Sequence, residues 1–145
     1  MQPPFPSPVS EWHNDTYSAI NPQNHELSTA GKTIVITGGG TGIGRETVRT
    51  FAAAGAVSIH ILGRTQSSLA ETKLLVEKEF PSARVTIYIA DVTDEKAVSK
   101  AASQIGAWDV LVSNAGYLAK RALIHEIDLH EWWTGFEVFK AFPDW

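Results

Sequence analysis

The sequence predicts an α/β fold, a doubly wound parallel sheet, on three observations. Thr33-Ile34-Val35-Ile36 is an apolar, β-branched run suited to a strand buried on both faces. It empties through Thr37 into Gly38-Gly39-Gly40-Thr41-Gly42-Ile43-Gly44, a loop holding five of the chain's 11 glycines, and a pattern with helical spacing begins at Gly42. Apolar strand-like runs then alternate with helical patterns as far as residue 113, the order in which parallel strands need crossover helices.

Each element follows from its own residues. The first helix runs from about Gly42 to Ala54, with Ile43, Thr47, Val48, Phe51 and Ala52 on one face and Gly55 as its stop. Val57 to Leu62 form the second strand. The second helix spans about Gln66 to Phe80, with Leu69, Thr72, Val76 and Phe80 at helical spacing and Pro81 closing it. Arg84 to Ala90 form the third strand. Asp94 caps a third helix whose Val98, Ala101, Ala102 and Ile105 share a face. Trp108 to Ser113 form the fourth strand. Asp128-Leu129-His130-Glu131 has the spacing of a capping box, with Asp128 as cap and Glu131 bonding back to the cap N–H. Trp132, Trp133, Phe136 and Phe139 continue that helix as a stripe for a core or a subunit interface. Residues 1–30, with five prolines and scattered Trp12, Tyr17 and Ile20, read as an extended N-terminal arm, and residues 31–145 as the domain.

Composition narrows the function classes. A net charge of −4 without a basic stripe argues against a nucleic-acid binder. Zero cysteines exclude thiolate metal sites and a cysteine nucleophile. His125 and His130 are five apart, one too many for a two-histidine zinc helix, and no metal is expected. The N-terminus has neither a basic n-region nor an apolar h-region, and no run of about 18 apolar residues occurs, so the expectation is a cytoplasmic protein with no membrane segment.

The glycine loop carries the chemistry. A strand, a turn without side chains and a helix start aim backbone N–H groups and a positive helix end at one spot, where a pyrophosphate fits. The second strand ends at Gly63-Arg64, about 20 residues on, where an NAD-selecting chain places a carboxylate for the ribose 2′-hydroxyl. Gly63 has no side chain, and Arg64 offers a guanidinium fork to a 2′-phosphate, so NADP(H) is favoured over NAD(H).

Thr37-Gly38 with Gly42 and Gly44 follows a T-G-x-x-x-G-x-G form that resembles the short-chain dehydrogenases/reductases. Asp91-Val92 after the third strand and Asn114-Ala115-Gly116 after the fourth strengthen the resemblance, which covers about Gly31 to Lys140. It implies a Rossmann-like sheet, here an incomplete one of about four strands in the order 3-2-1-4. It also implies that Asp91 takes the exocyclic amine of adenine and that Asn114 steadies the central strands beside the cofactor. The expected cofactor-binding set is Thr37, Gly38, Gly40, Thr41, Gly42, Ile43, Gly44, Arg64, Thr65, Asp91, Val92, Asn114, Ala115 and Gly116.

Family members place a serine and a Tyr-x-x-x-Lys pair after the region matched here, as general acid/base and its pKa-lowering partner. Tyr17, Tyr88 and Tyr117 are followed four residues on by Asn21, Val92 and Arg121, so none forms that pair. Phe136-Glu137-Val138 is followed by Phe139 where the family carries asparagine. No catalytic residue is assigned. The expectation is a C-terminally truncated, nucleotide-binding oxidoreductase module without turnover of its own, since losing the acid/base alone removes roughly 10²–10⁴ of rate. Val110-Leu111-Val112 is then an exposed edge. The alternatives are a non-catalytic interaction protein, self-associating or pairing with a full-length relative through the fourth strand and the helix after it, or an unstable fragment.

Overall fold

The computed structural model describes Pro6, Pro8 and residues 17–140. Its strands are β1 (Thr33–Thr37), β2 (Ser58–Gly63), β3 (Arg84–Ile89) and β4 (Val110–Val112), and its helices α1 (Gly42–Ala53), α2 (Gln66–Glu79), α3 (Glu95–Ile105) and α4 (Leu129–Lys140). The four strands form one parallel sheet in the order β3-β2-β1-β4. Register pairs Ile34 with Ile59 and with Val110, so β1 lies central and its apolar run is buried on both sides.

Alternation along the strands divides the core in two. Ile34, Ile36, Ile59, Ile61 and Val85 face Val48 and Ala52 of α1 and Leu69 and Val76 of α2. On the other face Val35 and Leu62 pack with Ala101 of α3, against partly buried Tyr88, Ile105, Trp108 and Leu111. Each fully buried Ile, Leu or Val contributes about 1.5–3 kcal/mol of transfer free energy, which makes the central strands the anchor of the domain.

Several local expectations change. α1 turns Gly44, Val48 and Ala52 inward, whereas Ile43 is 80% exposed, because helical periodicity carries position 43 to the rim once Gly44 is packed. β4 is three residues long, shorter than the run from Trp108 to Ser113. Asp128 Oδ1 accepts from the His130 and Glu131 N–H groups as a cap should, but Glu131 does not close the box. Its carboxylate accepts instead from the Tyr117 hydroxyl and the Lys120 N–H, tying down the chain after β4. The aromatic stripe of α4 is not core among the described residues: Trp132, Trp133, Phe136 and Phe139 stay exposed, with Phe136 edge-on to Trp132 at 4.6 Å, and only Val138 is buried. Residues 17–30 hold two 3-10 turns, Ser18–Ile20 and His25–Leu27, instead of a continuous extended arm. Thr29 fastens them to the end of α1, its N–H donating to Ala54 O (2.9 Å) and its hydroxyl to Phe51 O (3.3 Å). Trp12 lies outside the described residues.

Close approach at the start of α1 is sterically demanding. A Cβ on Gly44 would lie 2.1 Å from the Gly38 carbonyl oxygen. Gly44→Ala should therefore destabilise the domain by roughly 1–3 kcal/mol despite alanine's better helix propensity, read as a lower midpoint in urea unfolding. At α3, Asp94 Oδ1 accepts from the Lys96 and Ala97 N–H groups. Asp94→Ala should cost about 1 kcal/mol in the same titration, and Asp94→Asn should recover most of it.

Candidate functional site

The carboxyl ends of the strands enclose a cleft of about 370 Å3, within the range of small-molecule sites. Four segments that are distant in sequence build it: the loop after β1, the β2–α2 junction, the end of β3, and the turn after β4.

The loop is shaped by its contacts. Gly38 has φ +68, and a Cβ there would lie 2.9 Å from Asn114 Nδ2 and 3.0 Å from Ala115 Cα. Only glycine combines that conformation with that proximity. At Gly42, by contrast, nothing lies within 4 Å of where a Cβ would be, so the loop is open on that side. Gly40, Thr41, Gly42, Ile43 and Gly44 all line the cleft, Ile43 as the apolar side chain at its mouth.

Helix starts differ in a way that bears on ligands. Thr41 and Thr65 occupy the N-cap positions of α1 and α2, yet neither side chain bonds a first-turn N–H, and both residues line the cleft. The starts of α3 and α4 are capped by Asp94 and Asp128. Two helix N-termini facing one cleft are thus left without carboxylate or hydroxyl caps, which suits them to anionic groups from outside.

Arg64 stands at the end of β2 with its side chain 63% exposed, its Nη1 3.8 Å from Asp91 Oδ2. Asp91 Oδ1 accepts from the Thr93 N–H (3.0 Å) and hydroxyl (2.8 Å). The Thr93 backbone donor foremost, then its hydroxyl and Arg64, hold the Asp91 carboxyl below the usual carboxylate range against partial desolvation. It is therefore an ionised acceptor at neutral pH. Val92, largely buried, forms the adjacent wall.

Asn114 joins the fourth strand to the loop. Its Nδ2 donates to Thr37 O (2.9 Å) and more weakly to Gly38 O (3.4 Å). The Thr37 hydroxyl accepts from the Asn114 and Ala115 N–H groups at 3.1 and 3.0 Å. Thr37 itself is fully buried and does not reach the cleft. Of the residues read from the sequence it alone stands behind the site, as the bolt between β1 and β4. Ala115 and Gly116 reach the cleft directly, and Phe139 packs beyond Gly116, 3.7 Å from where a Cβ would be.

The structure adds Gly63, Ser68, Leu69, Ala90 and Val138 to the walls. Ser68 and Leu69 were legible in principle, since a helix that starts at the cleft brings its first turn with it. Val138 has no local signal, because the long segment after β4 alone returns α4 to the site. Tyr117, next to Gly116, has its phenol pushed up by partial burial and by the Glu131 carboxylate. It stays protonated, a donor to Glu131.

The family model of the short chain dehydrogenases matches residues 32–139. The short chain dehydrogenase pigC of Monascus ruber is 41% identical over 133 residues, 86% of this chain and 43% of the relative. Among solved structures, L-sorbose reductase from Gluconobacter frateurii, complexed with NADPH and L-sorbose, aligns with a TM-score of 0.65 at 29% identity, covering 79% of this chain and 42% of that one. NAD+-bound xylitol dehydrogenase aligns with a TM-score of 0.64 at 26% identity, over 77% of this chain and 46% of that one. The chain spans less than half the length of the curated relatives it matches. Over its matched residues, it is a member of the short-chain dehydrogenase/reductase family.

Proposed function

We propose that this chain is the nucleotide-binding part of an NAD(P)(H)-dependent carbonyl/alcohol oxidoreductase and that it prefers NADP(H). The observation that carries the reading is the pair of uncapped helix starts, α1 and α2, opening on one cleft with Arg64 beside the second. Two such starts on one cleft suit a molecule bearing a pyrophosphate and a second phosphate on the ribose. The backbone from Thr41 to Gly44 would receive the pyrophosphate, and Asp91 the adenine amine. Arg64, with Thr65 and Ser68, would receive the 2′-phosphate. When bound, the nicotinamide supplies or accepts a hydride. The protein's part is to hold the nucleotide and orient it at the carboxyl edge of the sheet, with Asn114, Ala115 and Gly116 forming the wall toward the reacting end. No Tyr-x-x-x-Lys pair occurs within these 145 residues, so nucleotide binding is the activity this segment supports.

NADP(H) preference rests on Arg64. Solved structures of similar proteins hold NADPH or NAD+, but here an exposed guanidinium lies where the ribose would be read and Gly63 adds no carboxylate, which supports the preference. A ligand that binds only the folded state raises apparent stability in proportion to ln(1 + [L]/Kd). Thermal melts with NADPH should shift more than melts with NADH at equal concentration, and absence of any shift at millimolar ligand would overturn the reading. Arg64→Ala should weaken NADPH about 10- to 100-fold and leave NADH within about 2-fold, by the worth of charge-assisted hydrogen bonds.

A second reading draws on the exposed aromatic face of α4 together with the position of β4 at the edge of the sheet. It makes the chain a docking partner for a full-length relative. Under it, sedimentation velocity should show association that rises with concentration and is weakened by Trp133→Glu, with or without nucleotide.

A further inference from the structure

The carbonyl of Gly40 is held from behind by a cluster that the nucleotide reading does not use. Arg45 donates to Gly40 O through Nη2 (2.9 Å) and Nε (3.2 Å), and the Thr72 hydroxyl donates to the same oxygen (2.9 Å). Arg45 Nε also donates to Thr72 Oγ1 (3.0 Å), and Arg45 Nη2 is paired with Glu71 Oε2 at 2.7 Å. Thr72 is fully buried and the Arg45 side chain is 23% exposed, so the bonds to Gly40 O are largely shielded from water, while Glu71, 60% exposed, meets Arg45 at the surface.

Three features make this more than ordinary packing. Gly40 lines the cleft, but its carbonyl is engaged by α1 and α2 residues that do not. A planar trans peptide has one orientation once its oxygen is fixed, so the anchored carbonyl also fixes the Thr41 N–H and the path into Gly42, where the loop is open. Finally, the Arg45 charge is answered by Glu71, so the guanidinium serves as a scaffold and not as a phosphate ligand.

We propose that Arg45 and Thr72 are positioning residues that set the Gly40–Thr41 peptide for pyrophosphate binding, with Glu71 orienting Arg45. The proposal rests on the nucleotide reading above. Because α2 begins beside Arg64, the same cluster joins the pyrophosphate end of the cleft to the ribose end.

The test compares ADP, which carries the pyrophosphate, with adenosine, which does not, by equilibrium titration of the 145-residue chain and its variants. Thr72→Val removes the hydroxyl at nearly constant volume and Arg45→Met removes the fork. Each should weaken ADP about 3- to 10-fold and leave adenosine within about 2-fold, as expected for one or two lost hydrogen bonds. Arg45→Lys keeps the charge without the fork and should resemble Arg45→Met, whereas Thr72→Ser keeps the hydroxyl and should restore ADP binding. ADP affinity unchanged in Thr72→Val and Arg45→Met, or ADP and adenosine falling together, overturns the positioning role. Full ADP affinity in Arg45→Lys also overturns it, since charge alone would then suffice. Failure of the unsubstituted chain to bind ADP overturns the nucleotide reading itself, a different and separately visible result.

Discussion

The rest of the domain depends on the contact between the first turn of α1 and the glycine loop it leaves. Gly44 comes so near the Gly38 carbonyl that no side chain could intervene. That approach seats α1 on the sheet, with Val48 and Ala52 packed over Ile34, Ile36 and Ile59. It also leaves Gly38, Gly40 and Thr41 to Gly44 lining the cleft at the end of β1. Helix packing and the shape of the cleft therefore share one cause, the lack of Cβ atoms, and a substitution that harms one harms the other.

Around this contact the molecule divides its polar interactions by task. Buried donors and acceptors behind the loop are paired, through the Thr37 hydroxyl, the Asn114 amide and the Arg45–Thr72 cluster. Groups in front of it are left available: Thr41 and Thr65 do not cap their helices, and among the described residues Arg64 has a single, long ionic contact, to Asp91. A loop gripped from behind and open in front is preorganised, its backbone fixed before anything enters the cleft. Asp91 belongs to both sets, since Thr93 bonds Oδ1 and keeps the carboxyl ionised while Oδ2 has only the 3.8 Å contact to Arg64 among the described residues.

α4 relates differently to the sheet. Val138 reaches the cleft and Phe139 backs Gly116, while the remaining aromatics face outward. The helix is tethered by Glu131 to Tyr117 and Lys120 and by its Asp128 cap, local bonds that supplement the one buried apolar side chain, Val138. Its stability accordingly rests on fewer buried groups than that of α1 or α2, which share the larger of the two cores.

Residue pattern alone determined the strands and the four helices, their alternation, and the glycine-loop wall of the cleft, because period-2 and period-3.6 apolar spacing, a capping residue and a glycine turn are local signals. Gly38, Gly42 and Gly44 were legible for that reason and Arg64 from its place at the end of the second strand, whereas Asp91 and Asn114 were reached through the family resemblance that their motifs carry. Tertiary structure decided what depends on contacts between distant segments. It put Thr37 behind the site as a bolt to β4, turned Ile43 outward, sent Glu131 to Tyr117 instead of its own cap, and brought Val138 to the cleft. Nor does any spacing announce that Arg45 and Thr72, 27 residues apart, meet on one carbonyl oxygen. Such pairings are settled by how helices lie across the sheet, a property of the assembled fold that no single window of the chain contains.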